Sequence, residues 1–337
     1  MTRLVYVLLL AATAWAVGFA PDQRHLAPNR FPYTALGRTL AHGGLGCAVL
    51  VGPDLVLTCG HCVSDPENQV YDDVEIEFGL GFEPSTHKAR VKEVYLPRTE
   101  GVRTIDSGED WAIVRLDRPL GAYYGWVECA YLSDSEWRDA DVELVGYCLC
   151  PNEARPEFGC MDRPYRCAGA VSDVGPWIIF HNCAMWGGTS GAPMLARIGD
   201  GFRLVAVNFA GVNVEQEVLQ NGFRDTYRKE LANLAIPARN WREQLVALKP
   251  APVARAKEVF LQNRAAKSMR LTLTYHSVFD APDAPPLRKT LEVPAGSRRL
   301  ALERSAGCAD SSVTVQLEEQ KRVTKTLASE VCTVVIP

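Results

Sequence analysis

The chain has 337 residues, of which 47% are hydrophobic and 23% charged, and its formal net charge is -4 at pH 7. A chain of this length usually divides between two hydrophobic cores. This composition is typical of a folded globular protein, which excludes a disordered one. The small net charge gives no electrostatic reason to expect nucleic acid or an anionic membrane as a partner. We therefore expect two folded units, with a polypeptide or small-molecule partner.

The first twenty residues have the layout of a secretory signal peptide. One cation, Arg3, precedes an apolar run that ends at Ala20, and Ala14 and Ala16 fit the small residues before a cleavage site. An uncleaved anchor is the alternative, because about 17 apolar residues are close to the minimum that spans a bilayer. We expect residues 1–20 to be a signal peptide, the protein to be secreted or periplasmic, and no stable membrane association after cleavage.

The next part of the chain consists of short strand-like runs separated by Gly, Pro, Asn and Asp. The runs include CAVLVG, DLVLTCG, VEIEFGL, ARVKEVYL, DWAIVRLD, DVELVGYCL, PWIIFHN, APMLARI and FRLVAVNFAGV. Many short strands with turn residues between them predict an all-β barrel or sandwich. Asn240, as a candidate helix cap, and Pro250, as a stop, predict one closing helix. Residues 21–250 are therefore predicted to form the first folded domain.

A linker and a second all-β unit follow. Residues 249–257 read KPAPVARAK, a short basic segment that contains proline and is typical of a linker. The segments after it alternate apolar and polar residues, as half-buried antiparallel strands do. We predict a small C-terminal β-sandwich over residues 251–337, with Cys308 and Cys332 as its disulfide.

Three residues in the first unit have the side chains that acyl transfer by a serine requires. His61 follows the apolar run DLVLTCG, Asp110 precedes the buried run WAIVRLD, and Ser190 lies between glycines in GGTSGAP. Acyl transfer needs a hydroxyl, an imidazole to take its proton, a carboxylate to orient the imidazole, and amide donors for the oxyanion. Each residue alone has an ordinary structural explanation, but together and in this order they indicate a catalytic triad. The amides of Gly188 and Ser190 are the candidate oxyanion donors.

These motifs resemble the chymotrypsin-like serine proteases, and most closely their bacterial glutamyl-endopeptidase-type branch. The resemblance runs from about Pro32 to Leu248 and rests on GCAVLVGPDLVLTCGHCV, DWAIVRLDRPLG, HNCAMWGGTSGAPML and VAVNFAG, in that order. It implies a double β-barrel with the active site between the barrels, and a secreted serine endopeptidase that acts through His61, Asp110 and Ser190. A catalytically inactive scaffold that binds proteins is the alternative.

The resemblance also implies a substrate pocket. Ala184 occupies the floor position where trypsin-like members have an Asp, and Asn208 lies where glutamate-specific members have a His. Met185 would add a flexible apolar wall. We expect a preference for uncharged apolar or small residues on the acyl side of the cleaved bond. The expected substrate-binding residues are Ala184, Met185, Asn208, Phe209, Ala210 and Gly211.

Eleven cysteines in an exported chain predict disulfide bonds, and the odd number leaves at least one cysteine unpaired. The resemblance implies the pairs Cys47–Cys62 and Cys167–Cys183. Two of Cys148, Cys150 and Cys160 are expected to pair, whereas the sequence assigns no partner to Cys59 or Cys129. The segment from 148 to 167 lacks the paired cysteine spacing of structural zinc sites, so we expect neither a metal nor another cofactor.

Overall fold

The computed structural model describes residues 24–82, 86–97, 107–148, 162–184, 187–211, 232–250, 255–280, 283–304, 307–309, 312–317, 322–326 and 331–336. The predicted signal peptide and the residues Met185, Cys150 and Cys160 lie outside these ranges. Within them, no helix is both long enough and apolar enough to cross a bilayer.

The first unit contains fourteen of the described strands and three short helices. The strands are β1 (Arg24–Leu26), β2 (Leu36–Ala41), β3 (Gly44–Leu50), β4 (Leu55–Thr58), β5 (Glu75–Phe78), β6 (His87–Tyr95), β7 (Ala112–Leu116), β8 (Val142–Gly146), β9 (Tyr165–Gly169), β10 (Val171–Val174), β11 (Ile179–His181), β12 (Pro193–Ile198), β13 (Gly201–Gly211) and β14 (Asn233–Pro237). The helices are α1 (Gly121–Tyr124), α2 (Asp134–Asp139) and α3 (Arg242–Ala247).

Six of these strands close into a barrel in the order β2-β3-β4-β7-β6-β5. The run LVLT of β4 is buried at all four positions, and β3 and β7 pair with its two edges. The remaining eight strands form one sheet in the order β1-β9-β8-β12-β13-β14-β11-β10, which is a half-barrel over the part of the chain described. The predicted all-β double-barrel fold is confirmed.

The C-terminal unit consists of two sheets around a core of its own. Its strands are β15 (Glu258–Asn263), β16 (Met269–Tyr275), β17 (Leu287–Val293), β18 (Arg298–Leu302), β19 (Ser312–Leu317), β20 (Arg322–Thr326) and β21 (Val331–Ile336). One sheet has the order β18-β15-β21 and the other β17-β16-β19-β20. Buried Val259, Leu261, Leu271 and Leu273 belong to the shared core. The prediction of wholly antiparallel strands was wrong in one place, since β15 and β21 pair in parallel.

The predicted closing helix exists, but its proposed cap was wrong. Helix α3 has no side-chain cap and begins after Trp241. The amide nitrogen of Asn240 donates instead to the carbonyls of Gly108, at 2.8 Å, and Trp177, at 2.9 Å. Asn240 therefore joins two loops of the first unit.

The C-terminal unit packs on the first barrel through an aromatic cluster. The ring of Phe279 stacks on the imidazole of His87, with centroids 3.8 Å apart, and meets the ring of Tyr123 edge-on at 4.8 Å. Arg118 donates to the Phe279 carbonyl at 2.9 Å. The backbone amide of Ala256 also donates to the carbonyl of Ala122 in α1. The two units are thus in contact, while the domain boundaries at residues 20 and 250 stay predictions.

We predict that Phe279→Ala loosens this contact and lowers the free energy of unfolding of the C-terminal unit by about 2 kcal/mol, because an aromatic side chain loses its buried area and its ring contacts. The measurement is urea denaturation of the full chain, followed by circular dichroism. Leu287→Ala is the control, since Leu287 is 39% exposed on the same unit. Equal midpoints for the two variants would contradict the prediction.

Candidate active site

Strand pairing brings His61 and Asp110 together. Strands β4 and β7 are antiparallel, and Thr58 at the end of β4 pairs with Ala112 at the start of β7. The residues just beyond Thr58 and just before Ala112 therefore share one edge of the barrel. A 3₁₀ turn over Gly60–Cys62 follows β4 and carries His61. Asp110 accepts hydrogen bonds from the His61 amide at 2.8 Å and makes a second contact with His61 Nδ1 at 2.5 Å.

The contact with Asp110 determines the state of the imidazole. Because a carboxylate accepts hydrogen bonds, Nδ1 carries the proton and Nε2 is left as the basic nitrogen. The side chain of His61 is 33% exposed and that of Asp110 is 14% exposed. Burial lowers the pKa of His61, but the charges of Asp110 and Cys62 and the hydrogen bonds to both outweigh burial and raise that pKa well above its ordinary value. Asp110 therefore orients the ring and favours its protonated form.

Backbone hydrogen bonds hold the turn that carries Ser190 between the two barrels. The amide of Cys47, in β3, donates to the Ser190 carbonyl at 2.6 Å. On the other side, the amide of Gly191 donates to the Asn208 carbonyl, in β13, at 2.8 Å. Gly191 has φ +84°, and a Cβ there would lie 2.0 Å from the Cys47 carbonyl oxygen. We call the contact of Cys47 with Ser190 and Gly191 the seam.

The hydroxyl of Ser190 lies at the seam but is directed away from the imidazole. Ser190 Oγ donates to the Phe209 carbonyl at 3.4 Å, and within the described part of the chain it makes no hydrogen bond to the His61 ring. Cys62, the neighbour of His61, reaches the Ser190 carbonyl with its Sγ at 3.7 Å. Of the three predicted triad residues, His61 and Asp110 are thus in contact, whereas Ser190 lies next to Cys62 and its hydroxyl bonds to Phe209.

The candidate oxyanion donors point to no described acceptor. The amides of Gly188 and Ser190 donate to none of the residues that the structure covers. Gly188 has φ +91°, a conformation that favours glycine. Its carbonyl accepts a hydrogen bond from Cys47 Sγ at 3.3 Å, which fixes the orientation of this peptide. The amides of Gly188 and Ser190 therefore stay candidate donors to an anionic oxygen.

A buried network beneath the Ser190 turn was missed by the sequence analysis. The side-chain amide of Asn208 donates to the carbonyl of Thr189 at 3.1 Å, and its oxygen lies 3.1 Å from Nε2 of His181. Burial lowers the pKa of His181 to about 4, so its ring is neutral and Nε2 carries the proton. Nδ1 of His181 is buried without a hydrogen-bond partner among the described residues. The only sequence signal for the network was a histidine on an otherwise apolar strand.

The predicted substrate-binding residues occupy different environments. Asn208 is buried within the network just described, and Ala184 is buried with its amide donating to Cys167 Sγ at 3.1 Å. Phe209, Ala210 and Gly211 lie in β13 beyond the last residue paired with β12, which is Val207. On the opposite edge, Ala210 and Gly211 pair with β14. One backbone edge of this segment is therefore unpaired within the ranges described.

The nine described cysteines form no disulfide with one another. The thiols of Cys167 and Cys183 are hydrogen-bonded to each other, so this predicted pair is adjacent. Cys47 Sγ instead accepts from the Tyr147 amide at 3.1 Å, whereas Cys62 hydrogen-bonds to Cys59. The pairs Cys47–Cys62, Cys167–Cys183 and Cys308–Cys332 stay predictions.

The comparisons with known proteins agree with this geometry. The family model of the trypsin-like peptidase domain matches residues 46–207, a range that contains His61, Asp110 and Ser190. The fold is similar to that in a structure of a Glu endopeptidase in complex with MPD, with a TM-score of 0.53 and 18% sequence identity, over 69% of this chain and 100% of that chain. No curated protein matches the chain.

Residues 46–207 are thus similar to a trypsin-like peptidase domain, and the fold of the described residues is a chymotrypsin-like double β-barrel.

We predict that Gly191→Ala destabilises the protein by about 3 kcal/mol and removes its peptidase activity. The new Cβ would both strain the backbone and press on the Cys47 carbonyl, which would force the seam apart. Gly199→Ala is the matched control, because Gly199 also has positive φ but no atom within 4 Å of the Cβ position. The Gly199→Ala variant should lose about 1 to 2 kcal/mol of the free energy of unfolding and keep its peptidase activity. Thermal unfolding and a peptide assay measure both, and equal losses would refute the importance of the seam.

Proposed function

We propose that this protein is a secreted serine endopeptidase that hydrolyses peptide bonds through Ser190, His61 and Asp110 with an acyl-enzyme intermediate. The observation that carries the proposal is the contact of Asp110 with both the backbone amide and the ring Nδ1 of His61, at the edge of the first barrel. Because the backbone of Ser190 is fixed at the seam, only its side chain has to move for catalysis.

The first step is the rotation of Ser190 Oγ away from the Phe209 carbonyl towards Nε2 of His61. His61 then takes the hydroxyl proton while Oγ attacks the substrate carbonyl carbon, and the amides of Gly188 and Ser190 stabilise the resulting oxyanion. The imidazolium gives this proton to the leaving amine, and the acyl-enzyme remains. Water, deprotonated by His61, releases the acid and restores Ser190. Asp110 keeps the proton on Nδ1 throughout and stabilises the imidazolium.

The unpaired edge of β13 at Phe209–Gly211 suits the backbone of an extended substrate. A peptide that adds as a further strand gains main-chain hydrogen bonds whatever its side chains are. The Phe209 carbonyl is freed for such a bond when Ser190 Oγ rotates to His61. Substrate binding and the formation of the triad would therefore favour each other.

The described pocket residues favour an uncharged side chain in the substrate. Ala184 offers neither a carboxylate for Lys or Arg nor a cation for Glu, and Asn208 is occupied by Thr189 and His181. The lowered pKa of His181 keeps that ring uncharged near neutral pH. The solved structure of similar fold is named for a glutamate-directed enzyme. None of the described residues predicted to bind substrate carries a positive charge, which supports a different preference for this chain.

We predict that Ser190→Ala and His61→Ala abolish peptidase activity and that Asp110→Asn lowers kcat/KM by about 10⁴-fold, because an asparagine there favours the wrong imidazole tautomer. Steady-state kinetics with an internally quenched peptide measure these losses. Ser135→Ala and Asp139→Asn, which change exposed residues of α2, are the controls and should keep full activity. A wild-type protein that folds but cleaves nothing would instead support a protein-binding scaffold.

We also predict that a mixed peptide library is cut mainly after Ala, Val, Leu or Met, with mass-spectrometric identification of the cleaved bonds as the measurement. An uncharged pocket cannot compensate a buried charge, so charged residues at this position should be disfavoured by at least tenfold. A dominant preference for Glu, Lys or Arg would overturn the proposed specificity but leave the proposed triad intact.

A further inference from the structure

Two cysteines flank the catalytic histidine in the sequence Cys59-Gly60-His61-Cys62. Cys59 is the residue that precedes the 3₁₀ turn Gly60–Cys62, and Cys62 is its last residue. Side chains three positions apart in such a turn lie one above the other. The turn that presents His61 therefore also brings two thiols together, although the sequence analysis assigned Cys59 no partner.

The contacts of the two thiols place them within the active site. The thiol of Cys59 is hydrogen-bonded to that of Cys62, and it also donates to the Asn208 carbonyl at 3.2 Å. Cys59 Sγ, a ring nitrogen of His61 and a carboxylate oxygen of Asp110 lie within 4.8 Å of one another. Cys62 hydrogen-bonds to the His61 ring and reaches the Ser190 carbonyl at 3.7 Å. The thiol pair thus lies beside the proposed base and the proposed nucleophile.

As a free thiol, Cys62 competes with the Ser190 hydroxyl to transfer a proton to His61. A thiol is more acidic than a serine hydroxyl, so it transfers a proton to a neighbouring imidazole more readily. The hydrogen bond from Cys59 and the charge of His61 lower the pKa of Cys62, against the effect of burial. The groups that interact with this thiol are Cys59, His61, Asp110 and Cys47. Of these, only His61 is a cation that can stabilise a thiolate, and as an imidazolium it cannot accept the Ser190 proton.

We propose that Cys59 and Cys62 form a reversible disulfide that activates the peptidase by removing the Cys62 thiol from His61. This inference rests on the proposed function, because it concerns the basicity of the same imidazole. While both cysteines are reduced, the Cys62 thiolate holds His61 as an imidazolium. Once they are joined in a disulfide, the pKa of His61 falls and the ring is neutral at a lower pH than in the reduced protein. The switch would keep the protein nearly inactive among reducing thiols and activate it in an oxidising compartment.

The oxidant is a low-molecular-weight disulfide such as glutathione disulfide. The Cys62 thiolate attacks one sulfur, forms a mixed disulfide and releases one thiolate, which takes up a proton. Cys59 then loses its proton and attacks the Cys62 sulfur, which releases the second thiolate. In total, two protein thiols become one disulfide, and one small disulfide becomes two thiols.

The test compares the full-length protein after equilibration with dithiothreitol and with glutathione disulfide, both in EDTA. We expect the oxidised form to have at least tenfold higher kcat/KM below the pKa of reduced His61, because the neutral fraction of an imidazole changes tenfold per pH unit there. The acidic limb of the pH profile should move to lower pH on oxidation. Mass spectrometry after alkylation should find Cys59 joined to Cys62. Equal kcat/KM in both forms, or a Cys47–Cys62 bond in place of this one, would overturn the proposal.

Three variants separate the switch from a general effect of redox state. Cys62→Ala should show the activity of the oxidised protein under both conditions. Under oxidising conditions Cys59→Ala should stop at the mixed disulfide, so mass spectrometry should find glutathione on Cys62 in place of an internal disulfide. Cys129→Ala is the control and should respond as the wild type does, because burial raises the pKa of Cys129 to about 12 and makes it a poor nucleophile. A Cys62→Ala variant that still responds to dithiothreitol would contradict the switch.

The titration of His61 by NMR separates this proposal from the proposed function. The pKa of His61 should fall on oxidation, whether or not any peptide is cleaved. A fall in that pKa without peptidase activity in any form would contradict the proposed function alone. An unchanged pKa in an active enzyme would contradict the switch alone.

Discussion

The backbone contact between Cys47 and Ser190 is the constraint on which the proposed chemistry depends. Cys47 lies in a closed barrel, while the peptide after Ser190 is bonded to β13 of the second sheet. The 2.6 Å hydrogen bond between them therefore helps to set the distance between the first barrel and the second sheet, together with the contacts of Cys47 Sγ with Tyr147 and Gly188. Because Gly191 lies directly over the Cys47 carbonyl, the approach is possible only without a side chain there. His61 and Asp110 belong to the first barrel, so the same contact brings the imidazole to the serine.

The imidazole of His61 lies beside two acidic groups of different kinds, the carboxylate of Asp110 and the thiol of Cys62. The carboxylate of Asp110 orients the ring, whereas Cys62 carries a negative charge only as a thiolate. The carboxylate supports catalysis because it stabilises the imidazolium that forms transiently. A thiolate on the same ring stabilises the imidazolium before the substrate arrives. The same electrostatic interaction thus assists or blocks the reaction according to when the charge is present.

The sequence predicted the features that depend on local pattern. Alternation and turn residues located most strands. Of the three residues predicted as a triad, His61 and Asp110 are in direct contact at one edge of the barrel. The features that it missed depend on long-range contacts. Asn208 was assigned to the pocket, but its amide is held by Thr189 and His181, and Asn240 joins two loops where a helix cap was expected. The parallel pairing of β15 with β21 could not be predicted, because apolar and polar residues alternate in the same way in parallel and antiparallel strands. The contact of Cys59 with Cys62 was accessible from their spacing, but only once the 3₁₀ turn was known.

Covalent labelling tests most directly whether the hydroxyl of Ser190 and the imidazole of His61 act together. A fluorophosphonate reacts with a serine only where a neighbouring base activates it and amide donors accept the phosphonyl oxygen. Peptide mapping of the labelled wild-type protein should find one modified residue, Ser190, and the modification should disappear in His61→Ala while the protein stays folded. Labelling that is absent from the folded wild type, or that persists in His61→Ala, would contradict the account.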